Sequence, residues 1–118
     1  MAEIRKVGVL GCGLMGSGIA EVAARAGYET WVREVSDEFC ERGHGLIKRS
    51  LDRAVQKGKL EESAKDEALG RLRMTTALED LHDADIIIEA VTEDLDLKNE
   101  MFRTLDKVCG PETIFASN

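Results

Sequence analysis

A glycine turn near the amino terminus constrains the fold of this chain more than any other feature. Residues 11–16 read Gly-Cys-Gly-Leu-Met-Gly, which matches the pattern G-x-G-x-x-G. The turn directly follows an apolar run, Val7 to Leu10, and it opens a stretch of small and apolar residues from Leu14 to Ala26 that ends at Gly27. This arrangement predicts a buried parallel strand, a tight turn and a helix with a glycine at its carboxyl end.

Each glycine of the turn has a separate physical task. Gly11 permits the tight turn, Gly13 lets the backbone approach a pyrophosphate without an intervening Cβ, and Gly16 allows the helix to pack closely on the strand. The pyrophosphate would lie at the positive end of the helix that begins near Leu14 and Met15. We therefore predict that these five residues bind a dinucleotide cofactor.

An acidic residue completes the predicted cofactor site. A second strand, Tyr28 to Val32, ends near Glu34, which lies 18 residues after Gly16. An acid at this place hydrogen-bonds the hydroxyls of the adenosine ribose, and its charge repels a 2′-phosphate. The pattern favours NAD over NADP, although the neighbouring Arg33 could soften that preference. FAD uses the same fingerprint, and a glycine-rich turn that binds nothing also fits the residues, so both alternatives stay open at this point.

The remainder of the chain alternates short apolar runs with amphipathic segments. A helical hairpin follows the second strand, with Ser36 as the predicted cap of its first helix and Gly58 at the end of that helix. Its second helix and the later elements are predicted from apolar spacing: Leu60, Ala64, Ala68 and Leu72 on one helix face, strands at 74–76, 85–91 and 113–116, and a helix over 95–108. We predict an α/β fold, with a Rossmann-like, mainly parallel sheet and the hairpin inserted between strands 2 and 3.

The first hairpin helix carries a basic stripe. Arg49, Arg53 and Lys57 are spaced by four and share one face, which suits phosphate binding but also suits a solvated surface. Within the same helix, Gly43-His44-Gly45 lowers the helical propensity, since a glycine costs about 1 kcal/mol relative to alanine in a helix interior. We expect the helix to be interrupted there.

Composition limits the remaining classes. The chain has 118 residues, 43% of them hydrophobic, and a formal net charge of −7, which excludes a nucleic-acid binder driven by bulk positive charge. One domain over residues 1–118 is predicted. No run approaches the ~18 apolar residues of a membrane span, and no export signal is evident, so we expect a cytoplasmic protein. The three cysteines lack C-x-x-C spacing and predict neither a disulfide framework nor a metal site.

With its second half included, the sequence resembles the amino-terminal part of the 3-hydroxyacyl-CoA dehydrogenase family of fatty acid metabolism, especially the bacterial 3-hydroxybutyryl-CoA dehydrogenases. Three segments carry the resemblance: VGVLGCGLMGSGIA at 7–20, IIIEAVTEDLDLKNEMF at 86–102 and IFASN at 114–118. The resemblance implies NAD as cofactor, with Glu93 and Lys98 near its nicotinamide side. On residues alone, a solvated pair on a helix surface is the favoured interpretation. It also implies acyl-CoA contacts at Ser50 and Lys57.

The catalytic group of such an enzyme is not found among these residues. Hydride transfer from a secondary alcohol requires a general base, commonly histidine. His44 and His82 are predicted to be surface residues, and in the family the catalytic residues lie beyond the position of Asn118, as does a helical domain that completes the substrate site and forms a homodimer. We expect this chain to bind NAD without turnover, as a monomer or weakly self-associating species. The alternatives are a stand-alone nucleotide- or partner-binding module, or a dehydrogenase of a 3-hydroxy acid without CoA.

Overall fold

A five-stranded parallel sheet forms the centre of the molecule. The computed structural model describes residues 3–11, 13–90 and 95–117. Within them the strands are ordered β3-β2-β1-β4-β5, and all four pairings are parallel. The strands are β1 (Lys6–Leu10), β2 (Glu29–Arg33), β3 (Leu72–Thr75), β4 (Ile86–Glu89) and β5 (Ile114–Ser117). This order confirms the predicted Rossmann-like fold. It places β1 at the centre, because β2 and β3 are added on one side of β1 and β4 and β5 on the other.

Helices cover both faces of the sheet. They are α1 (Leu14–Arg25), α2 (Asp37–Gln56), α3 (Glu62–Arg71) and α4 (Leu95–Val108), with a short 3-10 helix at Leu78–Leu81. Val7 and Val9 of β1 belong to a buried cluster with residues of α1, α2 and α3. Leu10 belongs to a second cluster, with Leu81 and Leu105, on the opposite face. The alternation of side chains along β1 thus contributes to two separate cores.

The amino ends of β1 and β4 are joined by a carboxylate. Asp85 Oδ2 accepts hydrogen bonds from the backbone N–H groups of Arg5 (2.8 Å) and Lys6 (2.9 Å). These two backbone donors hold the pKa of Asp85 below its usual value. The ionised carboxylate therefore aligns the two strands at the end of the sheet opposite the glycine turn.

The structure corrects two predictions in the hairpin region, one on the continuity of α2 and one on the start of β3. Ser36 caps α2 as predicted, since its Oγ accepts from the Phe39 N–H at 3.3 Å. The expected interruption at Gly43-His44-Gly45 was wrong, because α2 is continuous over 20 residues. Burial of Ile47 and Leu51, each 1% exposed, stabilises the helix by tertiary packing that outweighs the low propensity of the glycines. Similarly, β3 begins at Leu72, which pairs with Thr30, and not at Met74.

Candidate functional site

The glycine turn is fixed by backbone contacts on two sides. Gly11 has a φ of +91°, and its N–H donates to the carbonyl oxygen of Arg33 at 3.0 Å. A Cβ added to Gly16 would lie 1.9 Å from the carbonyl oxygen of Gly11, so α1 approaches the turn too closely for any side chain at this position. Two of the three glycines are therefore required by the packing of the turn itself.

Gly13 differs from the other two glycines. Apart from its chain neighbours, no described residue lies within 4 Å of a Cβ built on it, and its φ of −70° is open to any residue. The packing of the described residues therefore gives no reason for a glycine here. A group approaching from outside does give one, because a Cβ would fill the space against the backbone that a pyrophosphate needs.

The turn leads directly into the first turn of α1. Gly13 is the N-cap residue, and its carbonyl oxygen accepts from the Ser17 N–H at 2.8 Å. No described side chain caps this end of α1, and its first turn carries no acidic residue. Leu14 and Met15 are 88% and 57% exposed. Among the described residues, the positive end of the helix dipole therefore carries no acidic or capping side chain at the place where the sequence predicts an anionic ligand.

A cleft of about 340 Å³ lies between the glycine turn and the start of α2. Its lining residues are Gly11, Gly13, Glu34, Val35, Phe39, Arg42, Leu46 and Ala90. Glu34 is held at its rim because its N–H donates to the Thr75 carbonyl oxygen at 2.8 Å, which extends the β2–β3 pairing by one residue. The structure therefore brings Glu34, Gly11 and Gly13 together at the carboxyl edge of the sheet.

Arg33 is directed away from this cleft. Its Nε donates to the Thr76 carbonyl oxygen at 3.1 Å, and its Nη1 lies 3.6 Å from the Sδ of Met101 in α4. Side chains alternate along a strand, so Arg33 follows Trp31 to the α4 face of the sheet. The guanidinium on the cleft wall instead belongs to Arg42.

A buried ion pair lies beside the cleft at the end of β4. Lys98 Nζ of α4 is 2.6 Å from Glu89 Oε1, and the Glu89 side chain is 3% exposed. Glu89 is the register partner of Leu10, the last residue of β1. Lys98, predicted to be near the nicotinamide side, is thereby held at the carboxyl edge of the sheet by a carboxylate that sequence reasoning did not single out. Glu93 lies outside the described residues.

The remaining predicted positions lie elsewhere on the fold. Ser50 is half-buried in α2, and Lys57 is exposed at the carboxyl end of that helix. Neither lines the cleft, nor does His44. His82 is exposed just before the amino end of β4, on the opposite edge of the sheet from the glycine turn. None of these four residues lines the cleft.

The described residues provide neither a reactive cysteine nor a metal centre beside the cleft. Burial raises the pKa of the Cys40 thiol, which donates to the Thr75 carbonyl oxygen at 3.6 Å. A thiol with a raised pKa is protonated at neutral pH and a poor nucleophile. Residues 3–11, 13–90 and 95–117 contain no cluster of three metal-ligating side chains, nor a helix long and apolar enough to cross a membrane.

Several residues of the cleft were missed in the sequence. Phe39, Arg42 and Leu46 line it from α2. Their spacing of three and four is that of one helix face, and the cap at Ser36 starts the helix only two residues after Glu34. These three residues could therefore have been predicted from the sequence, since they share one face of a capped helix that follows the acidic residue.

The sheet order, the glycine turn and the acid at the end of β2 together define a dinucleotide-binding domain of the Rossmann type. The family model described as the NAD binding domain of 3-hydroxyacyl-CoA dehydrogenase matches residues 6–118. The chain belongs to the 3-hydroxyacyl-CoA dehydrogenase family and corresponds to its NAD-binding domain. This result confirms the predicted family and the predicted cofactor of the domain, NAD.

Individual relatives agree with the family. A 3-hydroxybutyryl-CoA dehydrogenase of Mycobacterium tuberculosis is 50% identical over 116 residues, which cover 98% of this chain and 41% of that protein. A probable 3-hydroxybutyryl-CoA dehydrogenase of Deinococcus radiodurans is 44% identical over 113 residues, or 96% of this chain and 40% of that protein. The crystal structure of FadB2 from M. tuberculosis superposes with a TM-score of 0.96 at 49% identity, covering 99% of this chain and 41% of that one. The chain thus spans about two fifths of the length of these relatives.

Proposed function

We propose that this chain binds NAD in the cleft beside the glycine turn. Gly11, Gly13 and Gly16, with Leu14 and Met15, would hold the pyrophosphate at the start of α1. The observation that carries the proposal is the cleft itself, which Gly11 and Gly13 of the glycine turn line together with Glu34 beside the start of α1. Gly13 fits such a ligand, because a side chain at this position would occupy the approach of the pyrophosphate.

Glu34 would bind the adenosine ribose. It lines the same cleft as Gly11 and Gly13, so a ligand whose pyrophosphate meets the turn has its ribose within reach of this carboxylate. A carboxylate there accepts hydrogen bonds from the 2′- and 3′-hydroxyls and repels a 2′-phosphate. Because Arg33 donates to Thr76, its guanidinium is not placed to offset that repulsion. These contacts favour NAD over NADP.

Titration of the chain with NAD tests this assignment. We expect saturable binding below millimolar concentration, and we expect Glu34→Ala to weaken NAD binding by about 10-fold or more, since hydrogen bonds to a charged group contribute about 1.5–3 kcal/mol. The same variant should reduce the difference between the affinity for NAD and the affinity for NADP. Isothermal titration calorimetry measures the affinities of the unaltered chain and of Glu34→Ala, each for NAD and for NADP. Glu41→Gln, an exposed change on α2 outside the cleft, is the control and should leave NAD binding unchanged. Absence of NAD binding at millimolar concentration would contradict the proposal.

The nicotinamide side would lie toward the ends of β1 and β4. Lys98, fixed there by Glu89, and Glu93 are the residues that the family resemblance assigns to this side. The ion pair supports the part of this proposal that concerns Lys98, because it places the ammonium group at the edge of the sheet from which the cleft opens. NAD bound in this orientation supplies the hydride acceptor of the reaction.

For the whole protein, we propose interconversion of L-3-hydroxyacyl-CoA and 3-ketoacyl-CoA by hydride transfer. The relatives named as 3-hydroxybutyryl-CoA dehydrogenases support this reaction class. Ser50 and Lys57 would contact the acyl-CoA, and the exposed Arg49 and Arg53 extend a basic face of α2 that could meet its phosphates. The cytoplasmic location, the helical second domain and the homodimer remain predictions.

Residues 1–118 by themselves are expected to be inactive. Neither His44 nor His82 is placed at the cleft, so the general base that the reaction requires is not provided by either histidine. The test is to mix the chain with acetoacetyl-CoA and NADH and to follow the absorbance of NADH at about 340 nm. We expect no NADH oxidation above that of a protein-free control. NADH oxidation that scales with protein concentration would overturn this expectation, while NAD titration of the same sample verifies that the domain is folded and competent to bind.

A further inference from the structure

Two side chains of α2 form a flat surface on the wall of the cleft. The guanidinium carbon of Arg42 lies 5.1 Å from the centre of the Phe39 ring, within the range of a cation–π contact. Phe39 is 41% exposed, and the Arg42 side chain is 62% exposed. Both residues line the cleft that also contains Glu34 and Gly13. An exposed aromatic ring with a planar cation against it is a surface to which a second planar group can be added.

We propose that Arg42, stacked on Phe39, is the platform that receives the adenine ring of the dinucleotide. This inference rests on the proposed function and adds the residues that recognise the base. The order of groups in the ligand supports it. A pyrophosphate at Gly13 and a ribose at Glu34 leave the base to continue along the wall formed by α2, where Phe39 and Arg42 are exposed.

The chemistry of Arg42 favours stacking over phosphate binding. A guanidinium is planar and weakly hydrated, and it stacks on π systems, so it can lie between the Phe39 ring and a purine. Its Nη2 is 3.4 Å from Glu38 Oε1, which offsets part of its positive charge. The carboxylate of Glu34 in the same cleft further disfavours an additional phosphate. Val35, 56% exposed, and Leu46 add apolar edges suited to a base.

The test separates the planar surface of Arg42 from its charge. Arg42→Lys keeps the charge and removes the plane, whereas Arg42→Ala removes both. We expect both variants to bind NAD and ADP-ribose about 5- to 10-fold more weakly than the unaltered chain, in keeping with the contribution of one base stack. Phe39→Leu should give a smaller loss. Arg25→Lys, at the end of α1 and outside the cleft, is the matched control and should have no effect, since Arg25 makes the same kind of i,i+4 pair with Glu21 that Arg42 makes with Glu38.

Three outcomes would overturn the inference. Wild-type affinity in Arg42→Lys would show that the planar guanidinium is not needed for binding. Unchanged affinity in Arg42→Ala would show that the base lies elsewhere. A larger loss for NADP than for NAD in Arg42→Ala would make Arg42 a 2′-phosphate ligand. In each case the unaltered chain still binds NAD, so the proposed function stands, whereas absence of NAD binding by the unaltered chain would remove both. Far-UV circular dichroism of each variant verifies that α2 is intact.

Discussion

Alanine at position 16 should strongly destabilise this domain. The new Cβ would lie 1.9 Å from the carbonyl oxygen of Gly11, and the nearby atoms are backbone, which cannot rotate aside as a side chain can. Overpacking of this kind costs about 3 kcal/mol or more, so we expect Gly16→Ala to lower the melting temperature by about 10 °C or to prevent folding. Thermal unfolding followed by circular dichroism measures the effect.

Gly13→Ala is the matched comparison, since it adds the same methyl group three residues earlier. Apart from its chain neighbours, no described residue lies within 4 Å of its Cβ, so the free energy of unfolding should change by less than about 1 kcal/mol. NAD binding should nevertheless fall by about 10-fold or more, because the methyl group occupies the approach of the pyrophosphate. Equal destabilisation by the two substitutions, or full NAD affinity in Gly13→Ala, would contradict this account of the turn.

Removal of the ammonium group of Lys98 should also have a large effect on stability. Glu89 is 3% exposed, and Lys98→Met would leave its carboxylate without the cation that lies 2.6 Å away. Loss of one partner of a buried pair typically costs 3–5 kcal/mol, and because the Lys98 side chain is 20% exposed we expect about 3 kcal/mol. Urea unfolding at neutral pH provides the measurement.

The double variant Glu89→Gln with Lys98→Met distinguishes charge from packing. Neutralising the carboxylate removes the buried charge, so the double variant should recover more than half of the stability that Lys98→Met loses. A double variant no more stable than Lys98→Met would show that the buried charge is not the cause of the loss. Lys107→Met, an exposed change in the last turn of α4, controls for the loss of a positive charge on that helix and should change stability by less than about 0.5 kcal/mol.

Local patterns were sufficient to predict the sheet and the turn. The apolar run before Gly11, the small residues after it and the acid at Glu34 depend on short-range spacing, and each lies where the sequence places it. Arg33 shows how such reasoning can be incomplete. Adjacent to Glu34 in sequence, it still has its side chain on the other face of the sheet, and the period of two along a strand would have predicted this.

Contacts between distant segments could not be predicted in the same way. Glu89 reads as the polar end of an apolar strand, and only the packing of α4 against β4 makes it a buried partner of Lys98. The continuity of α2 through Gly43 likewise depends on burial of Ile47 and Leu51, which no propensity scale contains. In both cases tertiary packing outweighs the local preference of the residues.

The glycine turn is held to β2 through Gly11 and to α1 through Gly16. A turn held at two points needs little reorganisation before a ligand enters. A ligand that binds the folded chain should therefore raise its melting temperature. A thermal-shift screen of nucleotide analogues would consequently rank compounds by affinity even in the absence of any measurable turnover. Such a screen offers a direct route to inhibitors that compete with the cofactor.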